Sequence, residues 1–181
     1  MRPPVNPLWR FSLRTYRAEG VQEACLALQE RCGADVNLLL FCGWCGRHGR
    51  LLDDADLRSA IDCVGAWQSG IVAPVRQARR ALKQQLAGEL AAALALPLRR
   101  RLAAIELELE RAEQALLADL YSRWPAVVAA QPPQQAIAAN LASYLSKLAV
   151  LPQAQDEAHV ACLAEACSRG SAALAQKQGA G

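Results

Sequence analysis

The sequence predicts an all-α, multi-helix bundle with a buried central helix and a long antiparallel helical hairpin, and three observations predict it. Hydrophobic residues fill 53% of the 181 positions. The excess is mostly Ala and Leu, which favour helices, while the β-branched and aromatic residues typical of strands are scarce. Apolar side chains recur at three- and four-residue steps, and no stretch alternates convincingly in the two-residue rhythm of a strand. Helix-starting residues, Asn6-Pro7, Asp35 and Asp53-Asp54, stand directly ahead of those stretches.

Asn6 can accept a free backbone N–H, and Pro7 suits the first helical position, so a first helix is expected to about Ala18. Its apolar face is Leu8, Trp9, Ser12, Leu13 and Tyr16. Gly20 suits a left-handed exit, and a second helix follows over Val21–Cys32, ended by Gly33. Asp35 caps the next segment, Val36 to Cys45, which is apolar on nearly every side and should be the central, most buried helix. A fourth helix opens at Asp53 or Asp54, carries Leu57, Ile61, Val64 and Trp67, and fades near Gly70.

Pro74 opens or kinks a fifth helix running to about Leu94, and Pro97 begins the longest element, which reaches Trp124. In that element Leu98, Leu102, Ile105, Leu109, Ala112 and Leu116 form a heptad-like seam, which predicts packing along an antiparallel neighbour. A hairpin turning near residue 92 sets Arg76 near Glu106 and Glu108, and Arg80 and Lys83 opposite Arg99 to Arg101. Beyond it, two Ala-rich helices are expected from Gln134 to Val150 and from Asp156 to about Ala175. The expected organisation is a helical core over 1–124, a Pro-rich linker over 125–133, the Ala-rich pair over 134–175 packed on the core, and a disordered tail over 176–181.

With 20 basic and 17 acidic residues the formal charge is only +3, too little asymmetry to favour a nucleic-acid partner. No secretory apolar run of roughly 7–15 residues follows the N-terminus, and no apolar stretch is long enough to span a bilayer. A cytoplasmic location is the expectation. Seven cysteines, an odd number set among apolar helical segments, then read as buried thiols without a structural disulfide.

A resemblance reinforces the helical reading. The strings Asn6-Pro-Leu-Trp-Arg-Phe-Ser-Leu-Arg-Thr-Tyr, Gly20-Val-Gln-Glu-Ala-Cys-Leu-Ala-Leu-Gln and Gly33-Ala-Asp-Val-Asn-Leu-Leu-Leu-Phe-Cys-Gly-Trp resemble an uncharacterised proteobacterial family, a domain of unknown function. The likeness continues through Trp67, Val72-Ala-Pro-Val-Arg-Gln-Ala-Arg-Arg-Ala-Leu-Lys and Glu106 to Leu116, about residues 6 to 120 in all. It implies no activity.

Several groups invite chemistry. Cys42-Gly-Trp-Cys45 could bind zinc or exchange disulfides, but zinc wants four ligands and no second pair stands at a usual spacing. Two packed thiols are therefore expected, with no metal and no cofactor. His48 and His159 lack an evident Ser or Cys partner, no glycine-rich phosphate loop is present, and no catalytic residue is assigned. Asp35 and Asn37, beside the apolar run, are expected either to cap and bond locally or to meet a ligand. They form a candidate polar pocket with Ser12, Tyr16, Glu106 and Glu110.

The basic side of the hairpin, Arg76, Arg79, Arg80, Lys83, Arg99 and Arg101, is the candidate anion site, because a guanidinium fork suits phosphate or carboxylate. Its competing reading is a solvated patch or an ion-pair network closed by Glu110, Glu113 or Asp62. The functional expectation is a non-enzymatic interaction or regulatory module, whose partner is a protein or a small anionic ligand. The alternative is a small helical enzyme acting on a phosphorylated or lipid-like substrate, with Glu106 or Glu110 as acid or base. Arginines converging with Glu106 and with Asp35 or Asn37 in a concave pocket would favour an enzyme. An exposed apolar patch would favour a binding module. The sequence leaves the oligomeric state open.

Overall fold

A computed structural model describes residues 6–84, 89–127 and 129–169. These form α1 (Pro7–Tyr16), α2 (Val21–Cys32), α3 (Val36–Arg47), α4 (Asp54–Trp67), a π-helical segment (Gln68–Val72), α5 (Ala73–Gln84), α6 (Glu89–Ser122), α7 (Pro133–Leu145) and α8 (Ala154–Ser168). The fold is an all-α bundle, with no strand among the described residues. The anticipated tail, 176–181, lies outside them, as does the end of the last helix expected to Ala175.

Helix α3 is the centre. All its residues from Asn37 to Gly46 are buried, and α1, α2, α6, α7 and α8 pack around it. Asp35 caps it as expected, its Oδ1 accepting the N–H groups of Asn37 at 2.7 Å and Leu38 at 3.3 Å. Glycine lets the neighbours come close. A Cβ on Gly46 would stand 2.5 Å from the Ile137 backbone nitrogen, and one on Gly43 would meet the Cys167 sulfur. Phe41, Leu39, Leu117, Ile137, Leu141 and Leu163 fill the core between these helices.

Four expectations about the hairpin are corrected. The fourth helix does not fade near Gly70: α4, the π segment and α5 run on without a break from Asp54 to Gln84. A π turn widens the helix where Pro74 could not donate an ordinary bond, so the proline is absorbed rather than opening a new helix. The fifth helix also ends at Gln84, not near Leu94, and residue 92 lies inside α6. Likewise Pro97 does not begin the longest helix but sits within it. The Ala- and Leu-rich residues ahead of the proline are strong helix formers, and they carry the helix through a substitution that costs ~3 kcal/mol in isolation.

The fourth correction bears on function. Leu98, Ile105 and Leu116 of the expected seam are exposed, and Leu102, Leu109 and Ala112 are only half-buried. The buried face is turned by about one position and carries Glu106, Glu113, Gln114 and Leu117. Helix α6 therefore faces acids inward and leaves leucines in solvent, the reverse of what burial of apolar surface favours.

Candidate functional site

A cleft of about 290 Å³ opens among α1, α2, the start of α3, the π segment, α5 and α6. That is the small end of the size typical of small-molecule sites, ~300–1,000 Å³. All six residues of the expected polar pocket, Ser12, Tyr16, Asp35, Asn37, Glu106 and Glu110, line it. Of the expected anion site, Arg76, Arg79 and Arg80 reach the cleft, whereas Lys83, Arg99 and Arg101 are not part of its wall.

Two of the three arginines are committed to acids. Arg76 Nε donates to Glu106 Oε1 at 2.8 Å and its Nη2 to Glu110 Oε1 at 2.8 Å, while Arg79 Nε donates to Glu106 Oε2 at 2.6 Å. The expected neighbour Glu108 is exposed; Glu110 takes its place. Burial alone would raise the Glu106 carboxyl, but the Arg79 and Arg76 guanidiniums override it and hold the group below the usual carboxylate range. Arg80 is exposed at the rim, with no carboxylate partner among the described residues.

Behind this network lies a second polar layer. Gln68, placed by the π turn, donates to Asp35 Oδ2 at 2.5 Å, and Gln114 donates to Asn37 Oδ1 at 2.7 Å. The Asp35 backbone N–H donates to the Tyr144 hydroxyl at 2.8 Å. Glu113, beside Asp35 and Asn37, is 0% exposed, and neither of its oxygens has a hydrogen-bond partner. Burial first, and then the negative charge of Asp35, push its carboxyl up to about 9, so it is an uncharged acid at neutral pH. Glu110 is raised too, again mainly by burial, against the pull of Arg76.

The polar groups near the cleft are incompletely paired. Ser12 Oγ, Gln68 Oε1 and Gln114 Oε1 are enclosed without a hydrogen-bond partner, as are the Glu113 oxygens. A buried polar group elsewhere shows the usual arrangement. Asn140 donates to the backbone oxygens of Cys42 and Arg50 and accepts the Leu52 N–H, so its amide is fully used. Native proteins leave few such atoms unpaired, and among the described residues five of the eight lie at or beside this cleft, the others being Arg50 Nε, Arg99 Nε and Asp156 Oδ1.

The other chemical candidates lie apart from the cleft. Cys42 and Cys45 are buried thiols in α3, both raised by burial and therefore poor nucleophiles. All seven cysteines are free, and no group of three or more His, Cys, Asp and Glu side chains among the described residues could hold a metal ion. His48 Nδ1 lies 2.8 Å from the Trp44 carbonyl, beside an aromatic cluster with Tyr121 over which the Arg50 guanidinium also sits. No helix among the described residues is long and apolar enough to cross a membrane.

Glu113, Gln114 and Gln68 were not singled out by sequence as site residues. The first two carried a usable signal, because Glu106, Glu110, Glu113 and Gln114 fall on one helical face. Gln68 carried none, since its place depends on the π turn.

Fold and site together define an all-α bundle with a half-buried polar cleft. The chain belongs to the DUF2390 family of proteins of unknown function, whose model matches residues 7–117. Every residue lining the cleft lies within that span. Neither a curated protein nor a solved structure matches the chain.

Proposed function

We propose that the chain is a non-enzymatic binding module whose ligand is a small molecule held in the cleft of α1, α3, α5 and α6. One observation carries this reading: α6 turns Glu106, Glu113 and Gln114 inward while Leu107 and Leu116 of the same helix stay exposed. Such an arrangement costs about 1–3 kcal/mol for each polar group left without a partner. Of the two partner classes expected from sequence, protein and small anionic ligand, a concave site of this size favours the small molecule.

The anion-binding expectation narrows to Arg80, because the other two guanidiniums at the cleft are neutralised by Glu106 and Glu110. A thermal-shift screen of small molecules tests the reading. A true ligand at a hundred times its Kd adds about 2.7 kcal/mol, or roughly 5–10 °C in a chain of this length. Leu13→Trp, an exposed change at the mouth, should abolish that shift without altering the melting of the free protein. A library without any compound whose shift is lost in Leu13→Trp counts against the module.

A catalytic reading has two observations in its favour: Arg76, Arg79 and Arg80 converge with Glu106, Asp35 and Asn37 in one concave cleft, and the carboxyl of Glu110 is raised there, which would suit a general acid on a phosphorylated or lipid-like substrate. Glu106 does not fit that role, since two guanidiniums hold it ionised. Turnover of a bound compound that stops in Glu110→Gln while binding persists would favour the enzyme over the module.

A further inference from the structure

The cleft has its polarity inside out. Its exposed apolar residues, Leu107 at 52%, Leu26 at 39% and Leu13 at 37%, stand at the mouth, whereas Ser12, Asn37, Glu106 and Gln114 are among its most buried lining residues. Leu40 is the apolar side chain buried beside them, so an apolar molecule would find most of its matching surface at the entrance and mainly polar groups within. A molecule with a polar head and an apolar body would match the gradient if it entered head first.

The unpaired atoms then define the head. Gln68 Oε1 and Gln114 Oε1 have lone pairs without donors, and the Ser12 hydroxyl can accept as well as donate. The Gln68 amide is fixed in orientation by its bond to Asp35, so its free atom is the acceptor. Carboxylates are plentiful here, in Asp35, Glu106 and Glu110, while the Arg76 and Arg79 donors already serve Glu106 and Glu110. An anionic head would meet acceptors and acids within, since Arg80 is exposed at the rim; a head rich in N–H groups would pair with them.

Resting on the ligand-binding reading above, we propose that the cleft takes an amphipathic amine, with its ammonium group inward toward Ser12, Asp35 and Gln114 and its apolar body at the mouth against Leu13, Leu26 and Leu107. The compound is small, because the cleft is small, and its positive charge is balanced by carboxylates rather than by an anion from solvent.

Three probes of equal length test the assignment: hexylamine, 1-hexanol and hexanoate, each titrated into the full chain by calorimetry. Hexylamine is expected to bind at least about tenfold more tightly than hexanol, and hexanoate weakest, a gap of the size that one charge-assisted pairing supplies. Ser12→Ala should weaken hexylamine about three- to tenfold while leaving the melting temperature unchanged or higher, since it removes an unpaired buried hydroxyl. Leu107→Ser, on the exposed mouth, should weaken hexylamine and hexanol by similar factors. Equal binding of all three, or preference for hexanoate, would overturn the inward ammonium but leave the cleft as a ligand site. If none of the three binds while a library compound still shifts the wild-type chain and not Leu13→Trp, the amine is overturned and the binding module stands.

Discussion

Glu113 is an uncharged acid at neutral pH, enclosed by Asp35, Asn37 and Glu110 and by Tyr144 from α7. Its folded pKa, about 9, lies above the ordinary value of 4.5, so the native state binds the proton more tightly than the unfolded state does. The stabilisation is complete below the unfolded pKa and is lost as pH rises through the folded one. Urea unfolding should therefore show stability falling between about pH 5 and pH 9, by an amount on the order of a few kcal/mol. Glu113→Gln, which fixes the uncharged form, should flatten that slope and, at pH 7, stabilise the protein over the wild type by an amount on the order of a few kcal/mol. An identical slope in both proteins would show that the proton sits elsewhere. Glu106 is the opposite case. Glu106→Gln leaves Arg76 and Arg79 half-buried with a weakened partner, and should cost about 2–4 kcal/mol in the same measurement.

At the scale of the element, α6 and α3 decide the architecture. Gly46 is where α7 reaches the central helix, and a methyl group there would overlap the Ile137 backbone, which cannot rotate away. Gly46→Ala should cost about 1–3 kcal/mol, seen as a lowered urea midpoint with the far-ultraviolet helix signal intact. The caps at Asn6, Asp35 and Asp53 were legible because they are local chemistry, one side-chain oxygen and the next two or three N–H groups. The rotation of α6 was not. Its Leu and Glu residues alternate over Glu106-Leu-Glu-Leu-Glu, so two registers differ by a single position, and only the arginines of α5 and the amide of Asn37 choose between them. The π turn at Gln68–Val72 was equally silent, because Pro74 and Gly70 read as punctuation in a sequence that the fold carries straight through. In α6, Pro97→Ala restores a backbone donor within the helix and should raise the melting temperature, with no effect on ligand binding, since Pro97 does not line the cleft.

Across the whole molecule, the sequence pointed to six polar residues and six basic ones, and the structure divides them by distance from the cleft. The polar six lie together because α1, α3 and α6 meet there. The basic six part company: Arg76, Arg79 and Arg80 of α5 reach the cleft, while Lys83 of α5 and Arg99 and Arg101 of α6 do not line it. The result is a bundle whose core around α3 is conventionally apolar and whose second, smaller interior is polar, incompletely paired and open to solvent. An interior of that kind is stable only if the fold tolerates it or something fills it. Mass spectrometry of the protein isolated from its own cells, gently desalted and then denatured, distinguishes the two most directly. The account predicts one small molecule released per chain, absent when Leu13→Trp is isolated in the same way. Release of nothing from the wild type, or of the same compound from both, would contradict it.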